Sequence, residues 1–271
     1  MNAPVSAPAI ADPAANERFR ELAREQGLNP DDPWVGGYVA YEWTHGRHFF
    51  EQYAAPLSGK RVLEFGCNVG ASGIVLAHLG ATVTGVEVDP QFAALASAQA
   101  AAYGLSGRID VHHLPDTSKM PFPDGAFDLI ICNSVLEYVA LPLLANIQRE
   151  LARVLAPGGL LLVMGTSNRL APREVHSGRW LVNYVPRWID RLAGGAERQR
   201  GLSPFRVIAG FPHLEVVDRK DAGAAYLNAK ERIGSGGAIL SAMRLAGRVL
   251  RPFGLTVGML MPSFAIAFRK P

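Results

Sequence analysis

The chain has 271 residues, 49% of them hydrophobic and 19% charged, which is enough apolar material for one large domain with a sizeable core. A formal charge of +3 with scattered Arg residues gives no basic face for a nucleic acid. The two cysteines, Cys67 and Cys132, make no disulfide framework, and no Cys/His pairs sit at metal-ligand spacing, so no metal is expected and a reducing, cytoplasmic setting fits.

Residues 1–12 are rich in Ala and Pro, lack a basic leader with a long apolar core, and read as a flexible tail. Pro13 to Gln26 reads as a polar helix, and Tyr38 to Tyr53 as one helix dense in aromatic and His residues, so 13–58 form an N-terminal helical cap. Strand and helix then alternate: strand Arg61 to Phe65, helix Ala71 to Leu79, strand Thr82 to Val88, helix Pro90 to Tyr103, strand Ile109 to His113. Strand Phe127 to Cys132, helix Leu143 to Leu155, a turn at Pro157-Gly158-Gly159 and strand Leu160 to Met164 follow. Such alternation predicts a doubly wound α/β core over 59–166. Residues 167–203 break it with an Arg-, Trp- and Pro-rich insert, long enough for a lid or pocket wall. The remainder, 204–271, reads as a short helix at Pro204 to Ala209, strand Leu214 to Val217, a helical Gly-rich stretch from Ala222 to Leu250, and a final strand Ser263 to Phe268. Gly254 to Phe268 is too short to span a bilayer and is broken by Pro262, so no transmembrane segment is expected, while peripheral membrane contact stays open.

Four elements fall at successive strand ends, where open α/β sheets bind ligands. In Arg61-Val-Leu-Glu-Phe-Gly-Cys-Asn-Val-Gly-Ala-Ser-Gly73 a strand runs through Glu64 into a glycine turn that opens a helix, and Gly66 and Gly70 allow close approach to a ligand. An acid beside that turn repels a pyrophosphate and suits a ligand with a cationic end. Glu87, closing the second strand, can accept both hydroxyls of a ribose. Asp116, in Leu114-Pro-Asp-Thr117, can accept from an exocyclic amine. The run Phe127 to Tyr138, followed by Arg149 to Gly159, closes the pocket floor.

Taken together over Lys60 to Thr166, these motifs resemble the class I S-adenosylmethionine-dependent methyltransferases. The resemblance implies a Rossmann-like, mostly parallel seven-stranded sheet, with Ser263 to Phe268 antiparallel beside Leu160 to Met164. It also implies S-adenosyl-L-methionine as the cofactor. Glu64 and the turn of Gly66, Cys67, Asn68 and Gly70 would hold its methionine portion, Glu87 the ribose, and Val88 the adenine face. Asp116 would take the adenine amine, Thr117 would supply a backbone N–H, and Asn133 would contribute a backbone carbonyl to the amino group and border the acceptor. Asn68 departs from the family, which usually carries Gly there, although Asn tolerates positive φ better than most residues.

Other readings bear on the same residues. The glycine turn also suits a nicotinamide dinucleotide and an oxidoreductase, but that pattern wants glycine at Asn68 and has no use for Glu64. A non-catalytic module that binds S-adenosylmethionine is a further alternative. Asp89 before Pro90 reads as a helix cap, competing with Glu87 for the ribose role. Cys67 and Cys132 read as packing residues. Methyl transfer from a sulfonium needs alignment and exclusion of water, plus a base if the acceptor is a hydroxyl. The candidates for that base or for the pocket wall are His176 in the insert, His45 in the cap and Tyr138 after the fourth strand. The aromatic and Arg-bearing flanks favour a small or amphiphilic acceptor.

Overall fold

In a computed structural model, residues 6–192 and 198–271 are described. Three helices lead: α1 (Pro13–Glu25), α2 (Tyr38–Thr44) and α3 (Gly46–Ala54). The core follows with β1 (Arg61–Phe65), α4 (Ala71–His78), β2 (Thr82–Glu87), α5 (Pro90–Ala102), β3 (Ile109–His113), β4 (Phe127–Asn133), α6 (Leu141–Val154) and β5 (Leu155–Ser167). Beyond it come α7 (Arg187–Leu192), α8 (Pro204–Ala209), β6 (Glu215–Val216), α9 (Ala224–Arg232), α10 (Gly237–Leu250), α11 (Val257–Leu260) and β7 (Ser263–Arg269).

The seven strands form one sheet in the order β3-β2-β1-β4-β5-β7-β6. Strands β1 to β5 run parallel, whereas β7 lies antiparallel to β5 and β6 antiparallel to β7. This is the Rossmann-like methyltransferase topology that the motifs imply. Order reverses at β1, whose two neighbours are β2 and β4, so the crevice for a ligand opens at the C-terminal ends of those three strands. Central strands are buried on both faces: Val62, Leu63, Leu129, Ile130, Ile131, Leu161, Leu162 and Val163 have essentially no exposure. Each such side chain contributes about 1.5–3 kcal/mol by leaving water, which makes the strand ends a stiff platform.

Several local expectations are corrected. The aromatic stretch from Tyr38 to Tyr53 is two helices, because the chain breaks at His45 (φ −123°, ψ −61°) and Gly46 restarts it. Pro157-Gly158-Gly159 is no free-standing turn: strand β5 begins at Leu155, and these residues bulge between the Phe127/Leu155 and Leu129/Leu160 pairings. Of the segment read as a tail, residues 1–5 lie outside the described residues. Ala11 and Asp12 donate their N–H groups to the Ala102 carbonyl, and the Ser6 carbonyl meets His78 Nε2, so 6–12 are tied to the core. No helix among the described residues is long and apolar enough to cross a membrane.

Candidate active site

Above the ends of β1, β2 and β4 lies a cleft of about 1220 Å³. Its floor is the glycine turn. Gly66 (φ 73°), Asn68 (φ 49°) and Gly70 (φ 83°) are all left-handed, and a Cβ on Gly70 would come within 3.2 Å of the Ala96 side chain. Asn68 holds its positive φ with an exposed side chain whose Oδ1 accepts from the Val69 N–H at 2.7 Å, so the turn survives without glycine. Cys67 and Cys132 are free and buried, and burial pushes both thiols up, which keeps them protonated packing residues.

Glu87 closes β2 with a carboxylate already held by the surrounding backbone. Oε2 accepts from Asn68 N at 2.9 Å, and Oε1 from Val88 N at 2.7 Å and Asp89 N at 3.2 Å. Asp89, in the same cleft wall, instead caps α5, its Oδ1 accepting from Gln91 N at 2.8 Å. Val88 is 53% exposed in the same wall. Beyond it, exposed Asp116 accepts from Ser118 N and is held below the usual carboxylate range by that residue, while Thr117 is buried. Both line the cleft.

Glu64 is 5% exposed and lies against Ser72 and the Gly73 N–H at the start of α4. Gly73 is required here, since a Cβ would lie 2.5 Å from Glu64 Oε2. Burial, and after it the neighbouring Glu42, push Glu64 well above its ordinary value. Glu42 on α2 escaped the sequence reading. It is 2% exposed, and burial lifts its carboxyl to about 7. Asn133 at the end of β4 sends Nδ2 to Glu42 Oε1 at 3.1 Å and to Ser72 Oγ at 3.2 Å, so cap, α4 and β4 meet at one point.

The opposite wall carries His176. Its Nε2 lies 3.0 Å from Oε1 of Glu137, whose side chain is fully buried just past β4 and also accepts from Ser167 N at 3.1 Å. The hydrogen bond to Glu137 raises His176 above its ordinary value of 6.5. With Nε2–H donated to the carboxylate, Nδ1 carries the lone pair. Tyr138 sits beside it at 5.6 Å between ring centroids, and burial pushes its phenol up to about 12, so it stays neutral. His45 also borders the cleft, stacked on Tyr41 at 4.4 Å with Nδ1 against Thr44 Oγ1 and the Tyr41 carbonyl, and no carboxylate among the described residues orients it.

Among the sequence-chosen residues, Glu64, Gly66, Cys67, Asn68, Glu87, Val88, Asp116, Thr117, Asn133, Tyr138, His45 and His176 all border this one cleft, and Gly70 shapes its floor from beneath. Glu42 and Glu137 were missed. A charged residue inside the aromatic run Tyr38-Val-Ala-Tyr-Glu-Trp43 was the available signal for the first. Nothing local pairs Glu137 with a histidine 39 residues away.

The fold and cleft define a doubly wound protein built to hold a nucleoside with a cationic tail. Residues 63–163 match the model of the methyltransferase domain family. The chain is 28% identical over 239 residues to the ubiquinone biosynthesis O-methyltransferase of Ralstonia nicotianae, covering 83% of this chain and 96% of that one. It is 30% identical over 225 residues to the enzyme of that name from Psychrobacter arcticus, covering 76% and 84%. The [4+2]-cyclase SpnF shares the fold over 98% of this chain and 99% of its own, with a TM-score of 0.54 at 21% identity. The chain belongs to the class I S-adenosylmethionine-dependent methyltransferases. It is an enzyme whose cofactor is S-adenosyl-L-methionine, and the nicotinamide and non-catalytic readings are set aside.

Proposed function

We propose that this methyltransferase transfers the methyl group to a hydroxyl of a small aromatic or amphiphilic molecule. The observation that carries this reading is the His176–Glu137 pair on the cleft wall. A hydroxyl nucleophile must lose its proton as the new bond forms, and a histidine oriented through one nitrogen by a buried carboxylate is suited to take it at the other. The same cleft is lined by Trp34, Tyr38, Tyr41, Phe49 and Tyr138, an aromatic lining that matches a ring with an apolar substituent. The relatives named ubiquinone biosynthesis O-methyltransferases support oxygen as the acceptor atom.

The donor side is assigned in the same terms. The buried acids beside the glycine turn, one of them with an oxygen that lacks a partner, fit a ligand with a cationic tail and misfit a pyrophosphate. Glu64 with Gly66, Cys67, Asn68 and Gly70 holds the methionine end, Glu87 the ribose, Val88 the adenine face, Asp116 and Thr117 the adenine edge, and Asn133 borders both ligands. The bound donor supplies an already activated methyl group. The chain's own work is to place the acceptor in line, exclude water with the wall that carries Val175 and His176, and accept the proton at His176.

The test is to incubate the protein with the donor and a series of phenols and catechols bearing alkyl chains of increasing length, following S-adenosylhomocysteine release and product mass. Transfer to oxygen that improves with chain length supports the reading. Transfer confined to nitrogen or carbon acceptors contradicts it.

A further inference from the structure

The N-terminal cap places a second acid at the methionine end of the cleft, and its surroundings are incomplete. Glu42 is 2% exposed yet lines the cleft. Its Oε1 accepts from Asn133 Nδ2, but Oε2, facing Gly46 so closely that a Cβ there would collide with it, has no hydrogen-bond partner. Facing it are Tyr38 and Tyr41 on its own helix, Glu64 on β1, Ser72 on α4 and Asn133 on β4. Among the described residues, no cationic side chain figures among the groups acting on Glu42 or Glu64. Ser72 adjoins both carboxylates and has one O–H to give. Two buried acids that share one hydroxyl and have no cation are costly to ionise together.

A ligand that relieves this cost must bring positive charge and N–H donors. A sulfonium offers charge but no donor, whereas an α-ammonium group offers three. We propose that Glu42, reaching in from the N-terminal cap, is a ligand of the donor's α-ammonium group and gives up a proton when the donor binds. This rests on the methyltransferase reading and adds to it a residue outside the matched region 63–163, together with a coupling between binding and protonation. Below about pH 7 the unbound protein keeps Glu42 largely neutral, because burial outweighs the polar groups of Asn133, Ser72 and Tyr38 beside it. An ammonium group against Oε2 reverses that balance. The cap then closes on the ligand through a charge-assisted bond from α2, which ties acceptor-side structure to donor occupancy.

Calorimetric titration of the full chain at pH 6, repeated in two buffers of different ionisation enthalpy, reads the protons released. For the wild type, S-adenosylmethionine and S-adenosylhomocysteine, which share the ammonium, should each release up to about one proton. Methylthioadenosine, which lacks it, should release none. Glu42→Gln should abolish most of the release and weaken both amino-acid-bearing ligands by about tenfold or more, leaving methylthioadenosine unchanged. Equal proton release by all three ligands in the wild type would overturn the proposal without any variant, as would unchanged release and affinity in Glu42→Gln. Failure of S-adenosylmethionine to bind the wild type at all would instead remove the methyltransferase reading on which the proposal stands.

Discussion

The two sides of the cleft satisfy their carboxylates in opposite ways. At the end of β2, Glu87 takes three backbone N–H groups from residues within its own turn and the adjacent glycine turn, so both its oxygens have partners before any ligand arrives. On the cap side, Glu42 is buried with an oxygen left open, and it depends on an Asn133 that is 91 residues away. His176 and Glu137 are likewise brought together from separate segments. The first side is a finished receptor made from neighbouring loops. The second is an assembly of distant pieces, in which burial pushes Glu42 towards neutrality, and it is the side to which the proposed function assigns the chemistry.

The largest test of this contrast separates chemistry from donor binding. His176→Ala should lower kcat by about 10²–10⁴-fold while leaving donor affinity unchanged. Because Glu137 raises His176 above 6.5, the base form appears only as pH climbs through that higher value, so kcat in the wild type should rise along a limb above 6.5 that the variant lacks. A comparable loss of donor affinity would show that the two sides are not separable.

Next comes the cost of the unfinished side. Glu42 is raised from 4.5 to about 7 in the fold, so its contribution to stability is full below 4.5 and is lost as pH rises to about 7. That loss is on the order of 3 kcal/mol. Thermal melts of the ligand-free protein between pH 4.5 and 8 should show Glu42→Gln gaining on the wild type as pH increases. A constant difference between the two would mean that Glu42 is ionised throughout.

On the finished side, Glu87→Ala should weaken donor binding by about 10–100-fold, through the lost ribose acceptor and three unsatisfied N–H groups. The smallest effect belongs to Asn68→Gly. Its φ of 49° suits glycine, and the only side-chain bond lost is the one to Val69 N, so stability should change by less than about 1 kcal/mol with donor affinity preserved. Donor affinity that improved markedly would show that the Asn68 side chain obstructs the site.

How much was legible in the sequence follows the same division. The strands β1 to β5, the cap at Asp89, the final strand β7 and the acids Glu64, Glu87 and Asp116 each announce themselves through a run of neighbouring residues, whereas the antiparallel direction of β7 follows only from the family resemblance. The break at His45 was not visible, because the aromatic periodicity continues across it and only the backbone reverses. The bulge at Pro157-Gly158-Gly159 reads locally as a turn, and only the pairing with Phe127 and Leu129 makes it part of β5. Glu42 and Glu137 acquire meaning from partners on other elements, which no spacing along the chain encodes.

The most direct test of the account is a crystal structure with S-adenosylhomocysteine and an alkylated catechol bound together. The account predicts the ribose hydroxyls on Glu87 and the reacting oxygen within hydrogen-bonding distance of His176 Nδ1, with Nε2 still on Glu137. A ribose on Glu87 but a reacting oxygen remote from His176 would contradict the central claim that this wall supplies the base.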